Sequence, residues 1–468
     1  MRSTFFGIEM GRRALSAHRT VADVVGHNLA NAGTEGYRKQ NIALTATQPY
    51  GQSGQPSLSV GTGVRVGDIA RRQNRYLDRE IQQRTGAAKM WDTRSQILHQ
   101  VQDILAEPGD SGINSVLDRF FNAWQDVAIE PDNSAVRTAV LERGQELGDA
   151  LGLAQNQVAN MASNIEERAA TRVNKINNLL DELEGLNAQL VAIDATDMRM
   201  NDLLDRRDML VEELSSLVSV SSRDGADGGI RLVVDGIPVM DSYSSRRLEY
   251  AGVEGDGSGS LGNVALNWTH GSQTAIPWEP SQAGELGALV GLRNEEVPGV
   301  LADLGALADA LRTGVNAIHQ DGYDLEGNPG GAFFSETVDP GVLRVEDLAP
   351  SEVAAAAIPD GAPGDGDNAQ AISDFRQDPE AIDGTDPGDF LRSLVSHVGV
   401  RTEQSDQLGT NTNNMLMQLE NQRDAITGVS IDEELTHLIT AQNSFNAAAR
   451  LVQTWDEMLD MIVNGLVR

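Results

Sequence analysis

Ile431 to Leu466 reads IDEELTHLITAQNSFNAAARLVQTWDEMLDMIVNGL. Steps of four and three through it touch Ile431, Leu435, Leu438, Gln442, Phe445, Ala449, Val452, Asp456, Leu459, Val463 and Leu466, and all but two of these positions are apolar. A stripe on that spacing follows one face of an α-helix and is narrow enough for a coiled-coil seam. Ser430 followed by Glu433 supplies a capping box at the helix start. A seam needs a second helix, and the opposite terminus repeats the spacing with Ile8, Gly11, Leu15, His18, Ala22, Val25 and Leu29. The expected seam residues are therefore Ile8, Leu15, Val25 and Leu29 at one end, and Leu435, Leu438, Phe445, Val452, Leu459 and Val463 at the other. Charge supports the pairing: residues 1–31 carry Arg2, Arg12, Arg13 and Arg19 against Glu9 and Asp23, while 431–468 carry six acids against Arg450 and Arg468. The basic helix is expected to face the acidic one.

The chain has 468 residues, a net charge of −33 and no cysteine. That length supports several domains with buried cores. Without cysteine there are no disulfides, thiolate metal sites or thiol nucleophiles. The first 90 residues are net +7, which leaves −40 for the remainder. A body this acidic repels nucleic acid and anionic membrane, so neither is an expected partner. No apolar run approaches the ~20 residues of a membrane-spanning helix, and Glu9 and Arg12 interrupt the N-terminus before a secretory core forms. Neither membrane insertion nor a cleaved signal peptide is expected.

Between the ends, Asn28-Leu29-Ala30-Asn31-Ala32-Gly33-Thr34-Glu35-Gly36-Tyr37 reads as a helix end and a turn. Leu58, Val60, Val64, Val66 and Ile69 among glycines suggest a β-hairpin or extended arm over 46–70. Helical patterns then run to about residue 217. The clearest is a four-and-three stripe from Val158 through Arg172 to Ile193, long enough to span roughly 54 Å at ~1.5 Å per residue. Asp205-Arg206-Arg207-Asp208 reads as a solvated charge run on the next helix. From Val218 to Trp278, short β-type runs alternate with Gly-, Asp- and Ser-rich turns, including Gly252 to Gly262. Helix resumes over 284–319. The loop DGYDLEGNPGGAFF follows, with acids suggestive of calcium, but Pro329 falls where an EF-hand loop requires glycine. A strand is expected within 341–350, loop over 358–389, and a last helical block from Phe390 to about Thr427. The seven histidines show no His-x-x-x-His pair, and no Gly-x-Ser-x-Gly or P-loop occurs. No catalytic, cofactor-binding or metal-binding residues are expected, and His18 reads as a seam residue.

Asn28, Leu29, Ala30, Asn31, Thr34, Gly36 and Tyr37 spell N-L-A-N-x-x-T-x-G-Y, which resembles the signature of the bacterial flagellar axial family of rod, hook and hook-associated proteins. The block NDLLDRRDMLVEELSSLVSV from Asn201, the loop DGYDLEGNPGGAFF and the C-terminal stretch are similar to hook-associated members of that family. The resemblance covers nearly the whole chain except the β insert. It implies a non-enzymatic structural subunit joining hook to filament, outside the cell, exported unprocessed through the flagellar type III apparatus. The partners it implies are further copies of the chain, the hook protein, a second hook–filament junction protein and an export chaperone. The alternatives are another axial protein of hook or rod type, or a cytoplasmic coiled-coil scaffold; an enzyme using the acidic loop is a further class.

The resulting fold expectation is a mainly α, elongated, multi-domain helical protein, with its terminal helices paired as a coiled coil and a small inserted β domain. The divisions are 1–45 with 428–468 for assembly, 46–217 with 285–427 for the body, and 218–284 for the insert. Glycine-containing joints at Gly33, Gly36 and Gly428 are expected to leave the terminal helices unordered until neighbouring copies cover them.

Overall fold

The computed structural model describes residues 5–51, 59–105, 112–193, 199–225, 228–254, 263–271, 273–281, 283–339, 341–382 and 384–465. Leu58, Leu466 and the loop tip at 255–262, which figure in the sequence reading, lie outside the described residues.

Long helices dominate. α1 (Phe6–Ala30) packs on α10 (Ile431–Gly465). Next, β1 (Gln40–Ala46) pairs antiparallel with β4 (Val64–Arg71) across a bulge at Ala43/Leu44, and the short β2 (Tyr50–Gly51) and β3 (Ser59–Val60) extend that arm. α2 (Arg75–Leu105) lies along α9 (Pro387–Thr427). α3 (Ile113–Ile129) packs on α4 (Ser134–Ala192), whose 59 residues make it about 90 Å long at 1.5 Å per residue. α4 buries every apolar member of its expected stripe from Val158 to Leu190, and Arg172, the polar break, reaches Glu285 at 2.8 Å. α5 (Arg199–Leu217) returns along α4. Among the described residues, no helix is long and apolar enough to cross a membrane.

The insert consists of two three-stranded antiparallel sheets. One holds β5 (Val220–Asp224), β6 (Ile230–Val234) and β7 (Ile237–Met240); the other holds β8 (Arg247–Glu254), β9 (Asn263–Thr269) and β10 (Ile276–Trp278). Neither sheet has a core of its own: Leu232, Val234, Leu248 and Trp268 belong to the same buried cluster as Leu179, Leu183 and Leu186 of α4. Two α4 asparagines fasten the strands. Asn187 accepts from the Ile230 amide at 2.7 Å and donates to the Ile230 carbonyl at 3.0 Å, while Asn177 makes the same pair of bonds with Leu248 at 2.8 Å each.

α6 (Gly284–Gly291) continues through a π turn (Leu292–Glu296) into α7 (Val297–Asp321). The expected strand within 341–350 is not formed: among the described residues this stretch makes one isolated bridge, Phe334 to Val345. The expected loop over 358–389 contains a short helix, α8 (Asp367–Asp374), because Ala369 and Ile372 find a buried seat. His319, at the end of α7, is fully buried beside Trp124 and Phe333. In the acidic loop, Asp324 accepts from the amides of Glu326 and Asn328, each at 2.8 Å, and from the Asn328 side chain at 3.0 Å. That carboxylate therefore closes a turn with its own neighbours.

Candidate functional site: the terminal helix pair and its buried clasp

α1 and α10 run antiparallel. A Cβ on Gly7 would stand 2.2 Å from the Trp455 ring, and one on Gly11 would stand 2.4 Å from Val452 Cγ2. At the other end, Asn28 of α1 meets Glu434 of α10. The two glycines are grooves that receive an indole and a branched side chain, so the helix axes can approach closely.

The facing columns differ by one residue from those the apolar stripes mark. On α10 the inward column is Glu434, Ala441, Ala448 and Trp455, beside Leu438, Val452 and Leu459, which are half-buried. Leu435, Phe445 and Val463 are 42%, 38% and 60% exposed, which corrects their expected seam position. On α1 the buried positions are Gly7, Gly11, Ala17, Val24, Val25 and Asn28, while Ile8, Leu15 and Leu29 are half-buried on the flank. Small side chains, rather than the largest apolar ones, mark the line of closest approach. The sequence contains a sign of this: both polar breaks in the α10 stripe, Gln442 and Asp456, fall in the column that the structure turns outward.

The expected charge pairing between the helices is also corrected. Arg12 and Arg13 both bind Glu9 on their own helix, at 2.9 and 3.2 Å, and Arg19 lies 3.9 Å from Asp23. Asp456 and Glu457 are exposed. The ionic link to α10 comes instead from Lys39, which is 2% exposed and places its Nζ 2.8 Å from both Glu433 and Glu434. Burial alone would push the Lys39 ammonium down, but the two carboxylates outweigh it and hold it above its ordinary value. Glu433, expected as the far half of a capping box, is thus engaged by Lys39. The Lys39 amide also donates to the Thr427 carbonyl at 2.8 Å, tying the chain just before Gly428.

The motif at 28–37 builds the rest of this clasp. Asn28, 1% exposed, donates to the Gln40 carbonyl at 2.9 Å and to Glu434 at 3.0 Å. Its Oδ1 accepts from the Gln40 amide at 2.9 Å and from the Tyr37 hydroxyl at 2.7 Å. One side chain therefore joins the end of α1, the start of β1 and the start of α10. Asn31 donates to the His27 carbonyl at 3.0 Å and accepts from Thr34 Oγ1 at 3.3 Å, closing the helix end. Gly36 has φ +75°, a left-handed backbone that favours glycine, and a Cβ there would have to displace the Met209 side chain. Burial, then the fields of Asp202, Asp205 and Glu434, push the Tyr37 hydroxyl up, which keeps it a donor. Leu29 is half-buried, and Ala30 and Thr34 are exposed.

Directly beneath lies a buried ionic hub. Arg38 grips Asp78 with two bonds of 2.8 Å, and its amide donates to Asp205 at 3.1 Å. Arg71 reaches Asp205 at 2.7 Å and Asp208 at 2.8 Å, and Arg207 lies 3.1 Å from Asp208. Asp205 and Arg207 are each 5% exposed, so the run expected to be solvated is the centre of the molecule's polar core. Only Arg206 faces out, to Glu182. Burial pushes the Asp205 carboxyl up despite Arg71. At Asp208, burial is outweighed by Arg71, Arg207 and Arg38, and the carboxyl is held down. The i, i+3 spacing of Asp205 and Asp208 places both on one helix face, which was the available sequence signal. Lys39, Gln40, Arg71 and Glu434 carried no such signal. Among the described residues, no group of three or more His, Asp or Glu could hold a metal.

Residues 98–334, just over half of the chain, match the model of the flagellar hook-associated protein FlgK helical domain. Residues 422–465 match that of the flagellar basal body rod FlgEFG protein C-terminal region. The chain is 29% identical over 507 residues to flagellar hook-associated protein 1 of Bacillus subtilis (strain 168), covering 100% of this chain and 99% of the relative. It is 23% identical to the protein of the same name in Salmonella typhimurium, covering 96% and 98%. The fold is shared with the flagellar hook junction protein FlgK from Burkholderia pseudomallei, at TM-score 0.63 and 15% identity, over 75% of this chain and 100% of that one. The helical body, the C-terminal helix and the near full-length relatives agree, and the chain belongs to the FlgK family of flagellar hook-associated structural proteins.

Proposed function

We propose that this chain is the subunit that joins hook to filament, and that it assembles with further copies of itself through its terminal helices after export from the cytoplasm without a cleaved signal. The observation that carries the reading is the apolar surface left open on α10. Ile431, Leu435 and Ile439 form a ridge at i, i+4, i+8 and are 53%, 42% and 59% exposed. Beyond the start of α1, Met461, Ile462 and Val463 are 68%, 48% and 60% exposed. Such a surface is a liability in a lone chain and a seam in an assembly. On this reading the assembly unit is 1–45 with 428–468, the body is 46–217 with 285–427, and 218–284 is an insert carried on α4. The hook protein, a second junction protein and an export chaperone would be the heterologous partners. The buried clasp has a purpose here: it fixes the direction in which the helix pair leaves the body, so that many copies can present the same surface at the same angle.

Deleting the gene tests this directly. The expected outcome is cells that build hooks of normal length and shed their filament protein into the medium. Filaments that remain attached in the deletion strain would remove the reading.

A further inference from the structure

α5 separates two clefts of opposite charge. Arg207 and Val211 line one, while Met209, Glu212, Glu213 and Ser216 line the other. At 3.6 residues per turn, these two sets lie on opposite sides of the helix. The first cleft, about 440 Å³, is walled by the start of α2, by β5 and by α5. Five arginines line it (Arg71, Arg75, Arg79, Arg207 and Arg223) against three aspartates. Arg71 is 9% exposed, and its Nε meets no acceptor among the described residues. Arg75 reaches Asp224 at 3.1 Å at the surface, whereas exposed Arg79 and Arg223 have no carboxylate partner among the described residues. In a chain of net charge −33, this is a local reversal of sign.

The second cleft, about 990 Å³, has seven carboxylates against four arginines on its walls. Asp208 lines both clefts. Asp205, Asp208 and Glu433 are already held by Arg71, Arg207 and Lys39, so the excess of negative charge lies at the α9 end around Glu212 and Asp424. Arg423 answers Glu212 at 2.7 Å and Lys175 answers Glu213 at 2.7 Å. Asp424 stands 3.8 Å from Arg423 with its side chain 73% exposed. Burial pushes the neighbouring Glu420 carboxyl up; the Arg423 charge opposes this, and the like charges of Glu212 and Asp424 add to it. This rim holds more negative charge than its own cations answer.

We propose that the two clefts are the halves of one head-to-tail contact, in which the arginine cleft of one copy receives the acidic rim at Glu420 and Asp424 of a second copy of this chain. The proposal rests on the self-assembly reading above and specifies its electrostatic register. The complementary surface is already present on the same molecule, across the same helix. Two different patches that fit each other make a heterologous contact, which repeats around a ring or along a helix instead of stopping at a dimer. Nucleic acid or an anionic membrane would have to approach through the field of the acidic body. Complementary patches also steer encounter and fix register, which apolar ridges alone do poorly.

The experiment is a reciprocal charge reversal in the full chain, expressed in cells lacking their own copy. Arg75→Glu with Arg79→Glu should lower the amount of the chain in purified flagella about tenfold, and so should Glu420→Arg with Asp424→Arg. Co-expressing the two variants should restore at least about half of the incorporation, because each then offers the other a matched contact. Circular dichroism of the purified variants checks folding. If a reversal fails to fold, the neutral pairs Arg75→Gln with Arg79→Gln and Glu420→Gln with Asp424→Asn replace it, each with a smaller expected loss. Single variants that incorporate as well as the unaltered chain, or failure of the co-expressed pair to recover, would overturn the contact. Absence of the unaltered chain from flagella would instead overturn the reading beneath it.

Discussion

Asn28 makes four hydrogen bonds at a site closed to water, so removing its amide strands the Gln40 amide and carbonyl and one oxygen of Glu434 together. Each buried group left without a partner costs about 1–3 kcal/mol. Because the Gln40 amide donates directly to Asn28, Asn28→Ala should raise its exchange rate about thirty-fold, as a loss of about 2 kcal/mol implies. Unchanged protection of that amide would mean the clasp contributes nothing locally. His319 offers a second test. Its Nδ1–H donates to the Gly331 carbonyl at 2.7 Å and its Nε2 accepts from the Ala354 amide at 2.9 Å, which leaves no place for a second proton. Burial is the main reason that its pKa falls to about 4, and nearby Arg137 adds to it. Between about 4 and the ordinary 6.5 the unfolded chain holds a proton that the folded chain does not, so stability is greatest above this window and falls as pH is lowered through it. The full effect is about 3 kcal/mol. Denaturant titrations followed by Trp fluorescence at pH 7 and pH 4.5 should show most of that loss in the native chain, relative to His319→Gln. The difference between the two is the readout, because Asp205 and Glu420, pushed up by burial, titrate with the opposite sign. Parallel curves would contradict the assignment.

At the scale of elements, Gly7 and Gly11 decide how α1 and α10 meet. Gly11→Ala would press a methyl onto Val452, an overpacking that costs about 1–3 kcal/mol. Exchange protection across 441–455 should fall accordingly, and Val452→Ala in the same chain should restore it. A Gly11→Ala chain with native protection, or a double variant no better than the single one, would show that the groove does not set the approach. The same elements show what could be read in advance. Long amphipathic helices were legible because their apolar spacing persists for many turns, as in the stripe from Val158 to Leu190. The phase of the terminal seam was not, because hydrophobicity favours Leu435 and Ile8 while close packing selects Ala441, Ala448 and Gly7. Asp205 to Asp208 read as surface because nothing near them in sequence reveals that Arg38 and Arg71, more than a hundred residues away, bury them. Short α8 was hidden by its Gly, Pro and Asp neighbours. The insert's strands were visible, but not that their inner faces need α4 to complete a core.

For the whole molecule, the clasp and the open helix face act together. The glycine-containing joints that suggested loose ends are crossed by Lys39, Asn28 and the Thr427 carbonyl, so the structure holds the helix pair on the body while leaving much of α10 uncovered. On the self-assembly reading proposed above, one helix serves two roles: the side facing α1 stabilises the pair, and the remaining apolar surface is the part that other copies would cover. Methionine oxidation distinguishes these surfaces without any substitution. Met458 and Met461 are 41% and 68% exposed in the single chain, whereas Met90 and Met240 are buried within it. Peroxide treatment followed by mass spectrometry should oxidise Met458 and Met461 rapidly in the purified single chain and slowly in intact flagella, with Met90 and Met240 slow in both. Oxidation of Met458 and Met461 at the same rate in flagella as in the free chain would contradict the claim that neighbouring copies cover this face.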